Sequence, residues 1–244
     1  MSLNSLARFG VILVSGLGVM QANAVTQNTK GGFVDLNVYP YLSDVEADSV
    51  ATINIAANLE NRFSYFSLTN FINQPATDEL QDTTGYYTEQ NIRWQIADQS
   101  PLDLTAQFNF RTGQDNDRHR LGFRWRMADT EWLKEYFAAV HLSWSMNFHL
   151  YQWDSEPGHV WQIEHSFRMT FPYVSDRLYL AGFIDHTFNQ DLPDSYPASP
   201  VVWETQLGYE VFENFFAIAE YRVNQYNRQD VNNVAVGVEY LMKW

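Results

Sequence analysis

Val234-Ala235-Val236-Gly237-Val238-Glu239-Tyr240-Leu241-Met242-Lys243-Trp244 is the stretch on which the fold turns. Val234, Val236, Val238, Tyr240, Met242 and Trp244 alternate with Ala235, Gly237, Glu239, Leu241 and Lys243, so one face is apolar and the other mostly small or charged. Period 2 belongs to a β-strand, whose successive side chains point to opposite faces. The rhythm recurs upstream. Leu102, Leu104, Ala106, Phe108 and Phe110 alternate with Thr105, Gln107, Asn109 and Arg111, and Leu121, Phe123, Trp125 and Met127 with Arg120, Gly122, Arg124 and Arg126.

Composition narrows what such strands can build. The chain has 244 residues, with 29 acidic against 15 basic, a net charge of −14. Aromatic residues make up 16% and apolar ones 45%, yet mean hydropathy is −0.34. Beyond the first two dozen residues no run of about 18 apolar residues exists, which excludes membrane-spanning helices but leaves open spanning strands of about 10 alternating residues. There is no cysteine, so disulfide frameworks, cysteine-ligated zinc, iron–sulfur clusters and thiol nucleophiles are excluded. The acidic balance argues against nucleic acid as a partner, because phosphate attracts basic patches. No repeat beyond the strand rhythm and no Pro/Gly-rich linker divides the chain, which predicts one domain.

Arg8 stands before an apolar run from Phe9 to Met20, and Ala22-Asn23-Ala24 has the small-x-small pattern of a secretory cleavage site. The expectation is a signal peptide over 1–24, a short segment over 25–31 and a β-barrel over 32–244. Alternation alone does not say which face is inside, since a soluble barrel buries its apolar face and a membrane barrel exposes it. The leader sets the polarity, together with a last strand ending on an aromatic residue, which resembles the terminal strand of bacterial outer-membrane proteins. The charged face then reads as the lumen of an all-β, transmembrane antiparallel barrel. That resemblance implies outer-membrane lipid and lipopolysaccharide as surroundings and the barrel-assembly machinery as a partner of the C-terminal strand.

Segmentation predicts strands over 32–41, 49–59, 62–72, 85–96, 102–112, 119–127, 136–153, 159–171, 177–188, 201–211, 215–226 and 231–244. Twelve strands put both ends on one side, so the connections sort into two classes. Those at Leu42–Asp48, Asn73–Thr84, Gly113–Arg118, Asp154–Gly158, Asn189–Pro200 and Asn227–Asp230 form the outer set. Inner turns such as Glu60–Asn61 and Phe212–Asn214 are short, as in bacterial barrels. Ala128–Glu135 is long for an inner turn, and ten strands remain open if 62–72 or 177–188 is misread. Trp132, Trp153, Trp161, Phe171, Tyr173, Phe215, Phe216 and Trp244 fall near strand ends and fit interfacial girdles.

Twelve strands enclose more than the filled interior of eight and less than a wide aqueous channel. On the inward face Arg93, Arg111, Arg120, Arg124 and Arg126 come from three consecutive strands, whereas Glu204, Glu210, Glu220 and Glu239 come from the last three. Opposite walls of opposite charge would orient a polar solute, while a lumen full of mutual ion pairs would close the barrel. Strand 136–153 adds His141, Ser143, Ser145, Asn147, His149 and Tyr151, a ladder of neutral hydrogen-bonding groups facing Glu164, Ser166 and Arg168 on the next strand.

Over residues 143–188 the chain resembles the Tsx-type nucleoside-specific channels of the outer membrane. The likeness is carried by Ser145-Met146-Asn147, Tyr151-Gln152-Trp153, Phe171-Pro172 and Gly182-Phe183-Ile184-Asp185. It implies a twelve-stranded narrow pore that binds nucleosides in its lumen, and adds Asp185 to the candidate lining residues.

The rival expectation is an outer-membrane lipid hydrolase. His141-Leu142-Ser143 reproduces the His-x-Ser spacing of outer-membrane phospholipases and lipid A deacylases, but on a strand whose lipid face is taken by Val140, Leu142 and Trp144 the pair points inward. No catalytic residue is therefore assigned. Nor is a metal or other cofactor: His141 and His149, eight residues apart on one strand, stand roughly 26 Å from each other at about 3.3 Å per residue. Loop carboxylates at Asp44, Glu46, Asp48, Asp78, Glu79, Asp82, Asp115, Asp117, Asp154, Glu156, Asp191 and Asp194 read as solvated surface.

Overall fold

The computed structural model describes residues 30–42, 49–73, 83–113, 117–154, 159–227 and 230–244. The expected leader and the loop carboxylates Asp44, Glu46, Asp48, Asp78, Glu79, Asp82, Asp115 and Glu156 lie outside the described residues. Twelve strands form one closed antiparallel barrel: β1 (Gly31–Val38), β2 (Ser49–Asn58), β3 (Phe63–Asn73), β4 (Thr83–Gln95), β5 (Leu102–Arg111), β6 (Arg118–Arg126), β7 (Leu142–Trp153), β8 (Trp161–Phe171), β9 (Ser175–Phe188), β10 (Val201–Phe212), β11 (Phe215–Asn224) and β12 (Asn232–Lys243). The ten-strand alternative is thereby removed. Each strand pairs with its chain neighbours, and β1 pairs with β12 in the register Asp35 to Leu241 and Asn37 to Glu239. Gly32 and Trp244 exchange backbone hydrogen bonds of 3.1 and 3.2 Å at this seam. Closure leaves no open sheet edge, the condition under which strands can span lipid.

The two faces separate cleanly. On β12 the outward Val234, Val236, Val238, Tyr240 and Met242 are each more than 40% exposed, whereas Ala235, Glu239 and Leu241 inside are at 0%. Polar side chains fill the interior and large apolar ones coat the exterior, which is the reverse of a soluble barrel.

Two departures from the sequence reading matter for the site. The segment 136–141, expected to extend the seventh strand, folds instead as α1 (Lys134–Ala139) and a turn, preceded by a 3-10 turn at Met127–Asp129. The alternation of Tyr136, Ala138 and Val140 is too short to hold a strand once Phe137 can be buried at the barrel end. Trp125 Nε1 donates to Thr130 Oγ1 at 2.8 Å, and Arg126 Nε pairs with Asp129 at 2.8 Å, fastening this turn to β6. The second departure is a β-bulge. Leu121 opposes Tyr151 and Gly122 opposes His149, so Leu150 is the extra residue. A bulge reverses which face the following residues take. Gly122 permits it, because a Cβ there would lie 1.8 Å from the Phe148 carbonyl oxygen.

Candidate functional site: the lumen

Antiparallel pairing puts directly opposed residues on one face, so the register assigns each inward side chain to a height along the barrel. The lumen divides into two halves. Toward the end that carries the chain termini and short turns, side chains fill it. Asp103 of β5 sits between two guanidinium groups: Arg124 Nη2 lies 2.5 Å away and Arg126 Nη1 3.1 Å. On the other wall Phe33, Phe216 and Leu241 pack inward with Tyr179, whose hydroxyl donates to Glu239. Gln206 donates to the same carboxylate at 3.0 Å, Asn54 donates to Asp35 at 3.0 Å, and the Arg168 guanidinium lies 3.9 Å from the Tyr179 ring centre. Tyr179 lies across Gly208, where a Cβ would meet its ring at 2.1 Å.

At mid-height a polar layer crosses the lumen. Asn147 of β7 donates to Glu164 of β8 at 2.6 Å, His149 Nε2 stands 3.4 Å from the same carboxylate, and Gln107 of β5 reaches both His149 and Glu164 at 3.4 Å. Arg120 Nη1 donates to the Gln107 oxygen and its Nε to Gln152, each at 2.7 Å. Asn147, His149 and Gln107 have no exposed surface.

The half toward the long loops holds a cavity of about 400 Å³. Arg93, Arg111, Arg118, Arg120 and Arg222 line it against Glu89, Glu164 and Asp185, with Phe66, Tyr87, Phe183 and Tyr226 among its rings. Two of these arginines lie over rings: Arg93 is 5.6 Å from the Phe66 centre and Arg111 5.2 Å from that of Tyr87. Glu164 and Asp185 stand directly opposite on β8 and β9. Tyr226, in the turn after β11, donates to Gln190 at 2.7 Å, and burial pushes its hydroxyl up, so it stays a neutral donor. Volumes of roughly 300–1,000 Å³ are typical of small-molecule sites.

Among the residues expected to line the lumen, Arg93, Arg111, Arg120, Glu164 and Asp185 come together around this cavity. Arg124, Arg126, Ser143 and Arg168 lie in the packed half, with Ser143 opposite Arg168. Asn147 and His149 belong to the crossing layer, and Glu204 is buried on β10 in the wall it shares with Glu220 and Glu239. Two expectations require correction. Tyr151 faces outward, half exposed and packed on Trp153 at 4.5 Å, because the bulge at Leu150 turns it away from the lumen; Gln152 takes the inward place. His141 is in the turn before β7 at φ 53°, its ring edge-on to Tyr173 at 5.6 Å and its Nε2 without a hydrogen-bond partner. Its Nε2 makes no hydrogen bond to Ser143 in this structure. The sequence reading missed Asp103, Tyr179 and Tyr87, whose roles arise from contacts between strands.

No protein-family model matches the chain, and no curated protein does. Among solved structures it is similar to the NanC porin, at 11% identity and TM-score 0.53 over 86% of this chain and 98% of that one. The KdgM porin aligns over the same shares at 12% identity and TM-score 0.49. The COG4313 outer membrane channel from Pseudomonas putida F1 aligns over 93% of this chain and all of that one, at 8% identity and TM-score 0.45. At such identities the likeness to NanC is one of fold, and with the closed twelve-stranded sheet it gives this chain a porin-type barrel.

Proposed function

We propose that the protein is a channel of the bacterial outer membrane through which small polar solutes diffuse, with nucleosides as the solute class. The observation that carries this is the lumenal cavity of about 400 Å³, lined by charged groups and aromatic rings together. Rings beneath guanidinium groups suit the faces of a base, and the carboxylates and amides around them suit its edge and a sugar's hydroxyls. The resemblance over residues 143–188 points to the same class. Lipid and lipopolysaccharide surround the apolar exterior in this reading, and β12 is the strand that the assembly machinery handles. Below the cavity the obstruction among the described residues is made of side chains, so passage requires rotamer changes and no unfolding.

Single-channel recording in planar bilayers tests the proposal. Discrete conductance steps that adenosine or uridine blocks are the expected result, whereas steps indifferent to nucleosides would leave a channel of another specificity. The closed structural barrel is favoured by the unexposed Asp35, Asn147, His149 and Glu239, and a silent bilayer containing correctly folded protein would establish it.

A further inference from the structure

Three carboxylates act on Arg93 through their charge, namely Glu164, Glu89 and Asp103, and each has donors of its own. Glu164 accepts from Asn147, with His149 and Gln107 each at 3.4 Å, and Glu89 accepts from Asn91 at 2.7 Å and from Tyr87 at 3.1 Å. Asp103 holds Arg124 and Arg126. Arg93 lines the lumenal cavity at 5% exposure and opposes Thr105, so it stands nearer the chain termini than Arg120, which opposes Gln107. Among the described residues it makes no hydrogen bond or ion pair: its Nε is unsatisfied, and its guanidinium lies over the face of Phe66. A ring face attracts a cation but leaves its N–H donors unmet. The same cavity holds the opposite lack, because Asp185 Oδ1 has no donor.

We propose that Arg93 is an oxyanion subsite at the floor of the cavity and that the solute is a nucleoside monophosphate, with its phosphate on Arg93 and its sugar or base on Asp185. The inference rests on the nucleoside reading above and adds a charge to that solute. A buried guanidinium without a counter-ion is costly, and its planar fork matches two oxygens of a phosphate, so a phosphoryl group supplies what the protein leaves unmet. Asp185 Oδ1 needs a donor, which a phosphate dianion lacks and the hydroxyl and N–H groups of a nucleoside provide. Phe183 lines the same cavity and stacks on no other ring among the described residues, which leaves its face for a base. Among the described lining residues five guanidinium groups stand against three carboxylates, an excess of positive charge from which a neutral nucleoside draws nothing.

The test is isothermal titration calorimetry of the full barrel in detergent and phosphate-free buffer, with AMP, adenosine, ribose 5-phosphate and inorganic phosphate as probes. On the wild type, AMP should bind at least tenfold more tightly than each of the other three. Adenosine binding as tightly as AMP overturns the subsite and leaves the nucleoside channel standing. Ribose 5-phosphate or inorganic phosphate binding as tightly as AMP overturns the nucleotide as ligand, and the nucleoside class with it. In the second arm, Arg93→Gln should weaken AMP at least tenfold and adenosine much less. An advantage of AMP over adenosine that survives Arg93→Gln would mean that the positive charge of the whole lumen holds the phosphate, and it overturns the proposal. Heat-modifiable gel mobility checks separately that the variant is a closed barrel, and the four-probe comparison on the wild type decides the matter without it. Calorimetry needs no ionic current, so tight AMP binding by a barrel that is silent in bilayers would refute the channel and uphold the subsite.

Discussion

The two halves of the lumen are built from the same residue types and behave differently. In the half near the chain termini, each guanidinium meets a partner on an adjacent or nearby strand: Arg124 and Arg126 on Asp103, Arg168 on Tyr179. Phe33, Phe216 and Leu241 occupy what space is left. In the half near the long loops, Arg93 and Arg111 lie on rings, and volume remains between them and the carboxylates of β8 and β9. Strand number fixes how wide the barrel is, and large inward side chains decide where along it that width stays open.

The strongest way to break this contrast is at Asp103. Replacing Arg124 and Arg126 together by Ala leaves a fully buried carboxylate without its cations, which should cost about 3–5 kcal/mol, read as a lower urea midpoint for unfolding from vesicles. Adding Asp103→Asn to that double variant should return most of the loss. Next comes Tyr179→Ala, which removes the side chain lying across Gly208 and leaves Glu239 with Gln206 as its remaining side-chain donor. Single-channel conductance should rise severalfold, making the packed half resemble the open one; unchanged conductance would mean that the narrowest point is elsewhere. Smaller again is the effect of Arg111→Gln in the open half, where loss of one positive charge should move the reversal potential across a salt gradient toward cation preference. Gln152→Ala and Tyr151→Ala form the finest comparison. The first removes a hydrogen bond to a charged group, worth about 1.5–3 kcal/mol, and should alter solute block by loosening Arg120. The second should leave flux unchanged, because Tyr151 is on the outside.

Most of the barrel was legible because alternation is a local property, visible without knowing a strand's neighbours. The strand boundaries in the sequence agree with the structure within a few residues except at the seventh. There Tyr136, Ala138 and Val140 mimic a strand, although the length of the Ala128–Glu135 connection already hinted that something other than a turn was present. Tyr151 was illegible for a different reason. Its direction depends on Gly122, a residue of the partner strand that gives the backbone room to gain one residue. The site was readable only as an inventory of inward residues. Which arginine is neutralised by Asp103 and which lies beside the cavity depends on register and on rotamers across the lumen, neither of which leaves a mark in one strand's own pattern.

Eleven of the twelve strand pairings join neighbours in the chain, and the twelfth joins β1 to β12. Assembly therefore has one step unlike the others. Hairpins can form as soon as their two strands exist, but the seam must bring Asp35 to Leu241 across nearly the whole length of the polypeptide, the kind of contact that slows folding most. Until it forms, β1 and β12 are sheet edges with unpaired backbone groups. The backbone bonds between Gly32 and Trp244 lie where that waiting ends, so a chain held short of them would expose a template for pairing with another molecule instead of with itself.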